Sequence, residues 1–192
     1  MSHQTYTTKA LVCGAYDHNT SDKSFQLFTR EAGMLFATAR SVREERSKQR
    51  PALQEFSLIK VSLVKGKQGW RIGSVEPEVN YFMLASDRLA RASVVRLVKI
   101  LRRFIHGEES SPQLFDFFIE SIEKISRECE DRQYVELIIE LKILAMLGYV
   151  DSKSFSISLD KSDFNNLSLY KEKLSLAQLE YLIKKAVENS HL

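Results

Sequence analysis

The groups that could do chemistry in these 192 residues are few and scattered. His3 and His191 lie at the termini, and His18 falls in the polar turn Asp17-His18-Asn19-Thr20-Ser21-Asp22. His106 stands at the end of a helical pattern, where an imidazole commonly serves only to answer the negative helix pole. Cys13 and Cys129 are the only cysteines, each inside an apolar run. That usage fits buried free thiols in a reducing cytoplasm, not a disulfide framework or a thiolate metal site. Acidic neighbours such as Glu44-Glu45, Glu76 with Glu78, and Glu108-Glu109 read as solvated surface. There is no glycine-rich phosphate loop, no metal-spaced cysteine or histidine cluster and no Gly-x-Ser-x-Gly. The sequence therefore points away from an enzyme and implies no cofactor and no metal.

What is concentrated is positive charge. Arg40, Arg43, Arg46, Lys48 and Arg50 share one short segment with only Glu44 and Glu45 against them. Lys65, Lys67 and Arg71 surround a second turn, beside Trp70. The formal charge of the whole chain is +3, but it is distributed unevenly: +4 over residues 1–80, +5 over 87–106 and −6 from 107 onward. Such asymmetry suits a surface that meets a polyanion. A single-strand nucleic-acid site combines a basic groove with aromatic platforms. Trp70, Phe36 and Tyr16 are the aromatics near enough to serve, although strand aromatics more often pack in a core, and that is the reading preferred for them here.

These residues need elements to position them. Apolar alternation places strands over Thr7–Tyr16, Lys23–Thr29, Met34–Ala39, Phe56–Lys65 and Trp70–Val75, the last ended by Pro77. Gly33 sits where the second and third would turn, at a position that needs positive φ. On the fourth strand Ile59, Val61 and Leu63 share a face opposite Lys60 and Ser62, so one side is buried and one wet. Five strands in about eighty residues match an OB-type barrel, with an SH3-like barrel equally compatible by composition. The period then becomes helical. Asp87 opens a helix stopped by Gly107, with Arg88, Arg91, Arg96, Lys99, Arg102 and Arg103 on one arc about 20 Å long. That arc either extends an anion path from the barrel (Arg88, Arg91, Lys99, Arg102), or is a solvated face, or pairs with acids of the next helix. Ser111 caps a second helix with Pro112 at its first position. The helix Gln133–Leu147 is apolar almost all round and ends at Gly148, which makes it central. Phe155, Ile157 and Leu159 alternate as a short strand. Ser175 with Gln178 is a capping box for a last helix. The expected architecture is α+β: an OB-fold domain over residues 1–81 and a helical domain over 82–192. No signal sequence and no apolar run of about 20 residues is evident, so the expected location is the cytoplasm.

Phe28-Thr29-Arg30-Glu31-Ala32-Gly33, then Ala37-Thr38-Ala39-Arg40, then Ala52-Leu53-Gln54-Glu55-Phe56 resemble, in order and spacing, the amino-terminal domain of the bacterial recombination mediator family RecO. Glu140 to Tyr149 resembles that family's helix ending in Leu-Gly-Tyr. The resemblance implies an OB-fold followed by helices, binding of single- and double-stranded DNA, strand annealing, and assistance to a RecA-type recombinase. It implies two protein partners, RecR and the acidic carboxy-terminal tail of single-stranded DNA-binding protein. Arg132 is the nearest candidate to receive that tail. Many relatives carry a four-cysteine zinc module after the Leu-Gly-Tyr helix; residues from Asp151 onward contain no cysteine, so this chain resembles a short form without it. The alternative is a protein-interaction adaptor that uses the same two parts without touching nucleic acid.

Overall fold

The computed structural model describes residues 5–127, 129–150, 171 and 174–189. Five strands, β1 (Thr5–Asp17), β2 (Lys23–Thr29), β3 (Gly33–Ala39), β4 (Ser57–Gly66) and β5 (Gly69–Asn80), close a barrel in the order β1-β2-β3-β5-β4. All pairings are antiparallel except the seam, where Ala37 opposes Trp70 and Thr38 opposes Arg71 in parallel. This strand order, closed through a parallel β3–β5 seam, is consistent with the OB arrangement.

Alternation accounts for the barrel interior. Val12, Phe25, Leu27, Ile59, Val61 and Leu63 point inward and are buried, while Lys60 faces water. The other faces of the same strands are not all wet. Leu11, Cys13, Phe28, Met34 and Leu58 belong to a second, larger apolar cluster that runs into the helices. For that reason β2 is buried at five consecutive positions, Phe25 to Thr29. β5 continues to Asn80 instead of ending before Pro77. Pro77 stands opposite Ile59, where the β4–β5 register shifts, and β3 meets β5 only at Trp70 and Arg71. The remainder of β5 is an edge, the setting in which a strand tolerates proline.

A short helix, α1 (Tyr81–Leu84), follows directly and has no counterpart in the sequence reading. The Asn80 side chain accepts the Met83 amide at 3.0 Å to start it. α2 (Arg88–Phe104) is capped by Asp87, which accepts from the Ala90 amide at 2.7 Å. α3 (Pro112–Ser126) has proline at its first position as expected, but Ser111 makes no side-chain cap bond. α4 (Arg132–Met146) starts and ends one residue earlier than expected, and is followed by the expected left-handed glycine, Gly148 at φ +80°, with the Tyr149 amide donating to the Leu144 carbonyl at 2.9 Å. In α5 (Leu176–Asn189) the capping box is formed: the Ser175 amide donates to Gln178 Oε1 at 2.8 Å and the Gln178 amide to Ser175 Oγ at 3.3 Å. The strand expected through Phe155, Ile157 and Leu159 lies outside the described residues.

α4 is central, and its two buried polar residues, Glu136 and Lys142, are partnered. Glu136 accepts from Ser93 Oγ at 2.6 Å and pairs with Arg96 at 2.7 Å. The Lys142 ammonium lies 4.7 Å over the Phe117 ring. Burial, followed by the nearby Glu136 charge, pushes the Glu140 carboxyl above the usual carboxylate range.

The barrel and helices interlock at the β2–β3 hairpin. Gly33 has φ +62°, and a Cβ there would overlap the Glu109 carbonyl oxygen and stand 2.8 Å from the Glu109 nitrogen and 2.9 Å from the Gly107 oxygen. Glycine is thus required for space as well as for dihedral. Next to it the Met34 amide donates to the Gly107 carbonyl at 3.0 Å. Arg30 grips Asp116 of α3 with two parallel bonds, Nε to Oδ1 at 2.8 Å and Nη2 to Oδ2 at 2.9 Å. Phe28 lies between Phe115 and Phe118, with ring centroids 5.3 and 6.3 Å away.

Candidate nucleic-acid interface

The basic segment between β3 and β4 is fastened to the barrel at both ends. Val42 and Leu53 insert into the barrel core and Ala52 is buried, so the intervening cations are turned outward. Ser41 takes a left-handed conformation, φ +50°, and its amide donates to Asp22 Oδ1 at 2.8 Å. That bond, with a second from Asn19, holds the Asp22 carboxyl below the usual range. Arg43 serves the same anchorage: its amide donates to the Ser21 carbonyl at 3.0 Å, and its guanidinium donates to the Asn19 carbonyl at 3.0 Å and lies 3.7 Å from Asp17.

Two depressions flank this loop. The first, about 490 Å³, brings Arg40 and Arg46 together with Arg71 from β5, and includes Glu44. The second, about 910 Å³, is lined by Lys23, Arg43 and Arg50, with Phe56, Phe82 and Met83 at its far wall and Asp17 and Glu55 among its carboxylates. A third depression of about 340 Å³ begins at the same Phe82 and is lined by Arg91, Arg96 and Lys99 of α2. Phe82 stacks on Phe56 at 5.6 Å, and the Arg91 guanidinium lies 5.6 Å from its ring. The second and third depressions thus meet at Phe82, whereas the first shares no lining residue with either. Phe82 and α1 escaped the sequence reading because four residues are too few to show a helical period.

The other expected site residues fall in different places. Lys48 is exposed on the loop, Lys67 at the tip of the β4–β5 turn and Arg88 at the start of α2. Among the described residues no ion pair engages Arg40, Arg46, Lys48, Arg50, Lys67 or Arg88. Trp70 and Lys65 turn instead toward the α2–α3 connection. The indole Nε1–H donates to Glu108 Oε1 at 2.8 Å, and Lys65 Nζ stands 3.1 Å from Glu108 Oε2 and 4.9 Å from the indole centroid. These two groups, the indole first, hold the Glu108 carboxyl below its ordinary range. Trp70 also packs on the barrel core, as expected, whereas Tyr16 and Phe36 remain exposed on the outer face. Arg102 reaches from α2 to the barrel and donates to the Tyr16 hydroxyl at 2.6 Å. Arg132 is 13% exposed; its guanidinium donates to the Ile125 carbonyl and, at 3.0 Å, to the Arg127 carbonyl, and it lies 3.5 Å from Asp87.

Residues 1–79 match the family described as "Recombination protein O N terminal", and residues 85–156 match "Recombination protein O C terminal". The chain belongs to the RecO family. Among its relatives, the DNA repair protein RecO of Clostridium novyi is 26% identical over 205 residues, covering 97% of this chain and 80% of that protein. The DNA repair protein RecO of Desulfitobacterium hafniense is 28% identical over 144 residues, covering 75% of this chain and 52% of that one. That of Acetivibrio thermocellus is 20% identical over 182 residues, covering 95% and 70% respectively. The chain thus spans four fifths of the first relative and about half of the second.

Within this RecO-family chain, no group of three or more His, Cys, Asp or Glu residues capable of holding a metal occurs among the described residues. Among them, too, no helix is long and apolar enough to cross a membrane. Cys13 is buried and its thiol is pushed up to about 12 by that burial, which keeps it an inert core group.

Proposed function

We propose that this RecO-family chain is a cytoplasmic, non-enzymatic DNA repair and recombination mediator. In this reading it binds single- and double-stranded DNA, anneals complementary strands and assists recombinase loading with RecR and single-stranded DNA-binding protein. The observation that carries the reading is the group of cations with no ion pair among the described residues: Arg40, Arg46 and Arg71 on one side of the loop, Arg50 on the other, and Arg91 and Lys99 of α2 beyond Phe82. Lys23, Arg43 and Arg96 in the same depressions are instead paired, the first two with Asp17 and the third with Glu136. Cations without carboxylate partners keep their counterions until a phosphate replaces them, and release of those ions drives binding. The names of the relatives agree with this reading.

The acidic partner tail needs an apolar floor beside free cations. Arg132 follows from the resemblance, but its guanidinium is engaged with the carbonyls of Ile125 and Arg127 at the end of α3. The depression formed by Phe82, Val95, Arg91 and Lys99 supplies both requirements and is the better receptor in this proposal.

Fluorescence titration with single-stranded and duplex oligonucleotides across a salt series tests the DNA reading. The variant combines Arg40→Ala, Arg46→Ala, Lys48→Ala and Arg50→Ala, and leaves Arg43 in place because it anchors the loop. Each lost phosphate contact lowers the log–log salt slope by about 0.7 on a single strand and about 0.9 on a duplex. An unchanged slope in the folded variant removes the loop from the site. Absence of binding by the unmodified protein at low salt favours the protein-interaction adaptor.

A further inference from the structure

Tyr16 and Phe36 are 41% and 55% exposed, although both sit on strands of the barrel. Phe36 stands opposite Gln26 across the β2–β3 ladder, and Tyr16 opposite Ser24 across β1–β2. Nearer the Gly33 hairpin the same outer face is covered by the helices through Phe28 and Met34. The exposed aromatics occupy the uncovered half.

The Tyr16 ring is held in place. It folds back over Gly14, where a Cβ would stand 3.2 Å from its hydroxyl oxygen and 3.3 Å from Cε2, so the absence of a side chain there makes room for it. Its hydroxyl donates to Gln26 Oε1 at 3.2 Å and accepts from Arg102 Nη2 at 2.6 Å, and the guanidinium lies 5.8 Å from the ring centroid. Phe36 stands beside it, with centroids 6.0 Å apart and planes tilted by 51°. Rings fixed before the ligand arrives lose little freedom when it binds.

The surroundings are cationic. Thr38, on the same face as Phe36, pairs with Arg71, which opens into the loop depression beside Arg40 and Arg46. Asp17, the carboxylate next to Tyr16 in sequence, lies within ion-pair distance of Lys23 and Arg43.

We infer that Tyr16 and Phe36 form a base-stacking platform, with Arg102 fixing the Tyr16 ring, that takes the unpaired nucleobases of a single strand. The inference rests on the DNA-binding reading and adds a division of labour to it. Phosphates of a single strand or a duplex satisfy the cations equally, whereas only unpaired bases offer a free face to an aromatic ring. The platform is what favours single strands.

The test measures fluorescence anisotropy with three labelled ligands: oligothymidylate, an abasic strand of the same length, and a blunt duplex. Phe36→Ala is expected to weaken oligothymidylate binding about fivefold or more, the loss of at least one stacked base. Its affinity for the abasic strand and the duplex should stay unchanged, and Phe36→Trp should restore oligothymidylate binding. Phe36 is exposed, so the variants fold, and circular dichroism checks that they do. Equal losses on all three ligands, or no loss on oligothymidylate, overturn the platform while leaving the proposed role of the unpaired cations intact. If the unmodified protein binds none of the three, the DNA-binding reading fails and the platform fails with it.

Discussion

Replacing Gly33 by alanine tests whether the barrel and helices are held in register at the hairpin tip. The new Cβ meets the Glu109 carbonyl and the Gly107 oxygen, both backbone atoms that cannot rotate away. Alanine at φ +62° costs about 1 to 2 kcal/mol in backbone conformation alone. Displacing the 107–109 segment also breaks the Met34-to-Gly107 hydrogen bond, worth about 0.5 to 1.5 kcal/mol. A loss of about 2 to 3 kcal/mol is expected. Gly148→Ala is the internal control: its φ is +80° but nothing stands within 4 Å of its Cβ position, so only the conformational cost applies. Urea unfolding of the two variants gives the difference, provided the dependence on urea is unchanged. Trp70, the sole tryptophan, supplies a second readout, because its indole donates to Glu108 in the same segment. Its emission in native Gly33→Ala should shift relative to the unmodified protein and to Gly148→Ala. Equal stability losses with unchanged native emission would refute the seating of this connection on the hairpin.

The Glu108 carboxyl is held low by the Trp70 N–H and by Lys65, so its contribution to stability is present above the ordinary value of 4.5 and is lost as pH falls through its lower folded value. The stability difference between the unmodified protein and Glu108→Gln should therefore be level near neutrality and vanish in acid; a difference level throughout would leave the pair without effect. Leu144→Ala, at a fully buried position, should cost about 2 to 5 kcal/mol. Leu144 shares one apolar cluster with Leu11 and Phe28, so hydrogen exchange should quicken in β1 and β2 as well as in α4. Loss confined to the helices would instead support independent units divided near residue 81.

Residues whose meaning is local were legible in the sequence. Alternation on β4, the capping box at Ser175 and the left-handed turn at Gly148 each depend on neighbours within a few positions, and each is present. Gly33 was legible for its dihedral but not for the Glu109 backbone packed against it, which lies 76 positions on. The basic loop was evident from composition, yet its anchors Val42 and Leu53 were not, because single apolar residues in a charged segment have no period to reveal them. β5 passed through Pro77 because tertiary structure made that stretch an edge, a circumstance no local pattern records. Of the strand aromatics, Trp70 is partly buried against the barrel core, whereas Tyr16 and Phe36 are exposed, since the helices cover only half of the face these two share.

The same reasoning explains why the basic excess of the first half of the chain is not a uniform basic surface. Arg30 and Lys65 are answered by Asp116 and Glu108, acids from the part of the chain that carries the excess of −6. Arg96 is answered by Glu136. These pairs lie where the barrel meets the helices or where helices meet one another, and their formation fixes the two parts of the molecule in place. Arg40, Arg46 and Arg50 stand on the loop away from those contacts, and no ion pair among the described residues claims them. A polyanion that touches both the loop and α2 needs these elements at a constant separation. In the proposed mode of binding, the paired cations supply that rigidity and the unpaired ones supply the attraction. Sequence counts cannot separate the two groups, because the partner that neutralises Arg30 is 86 residues away.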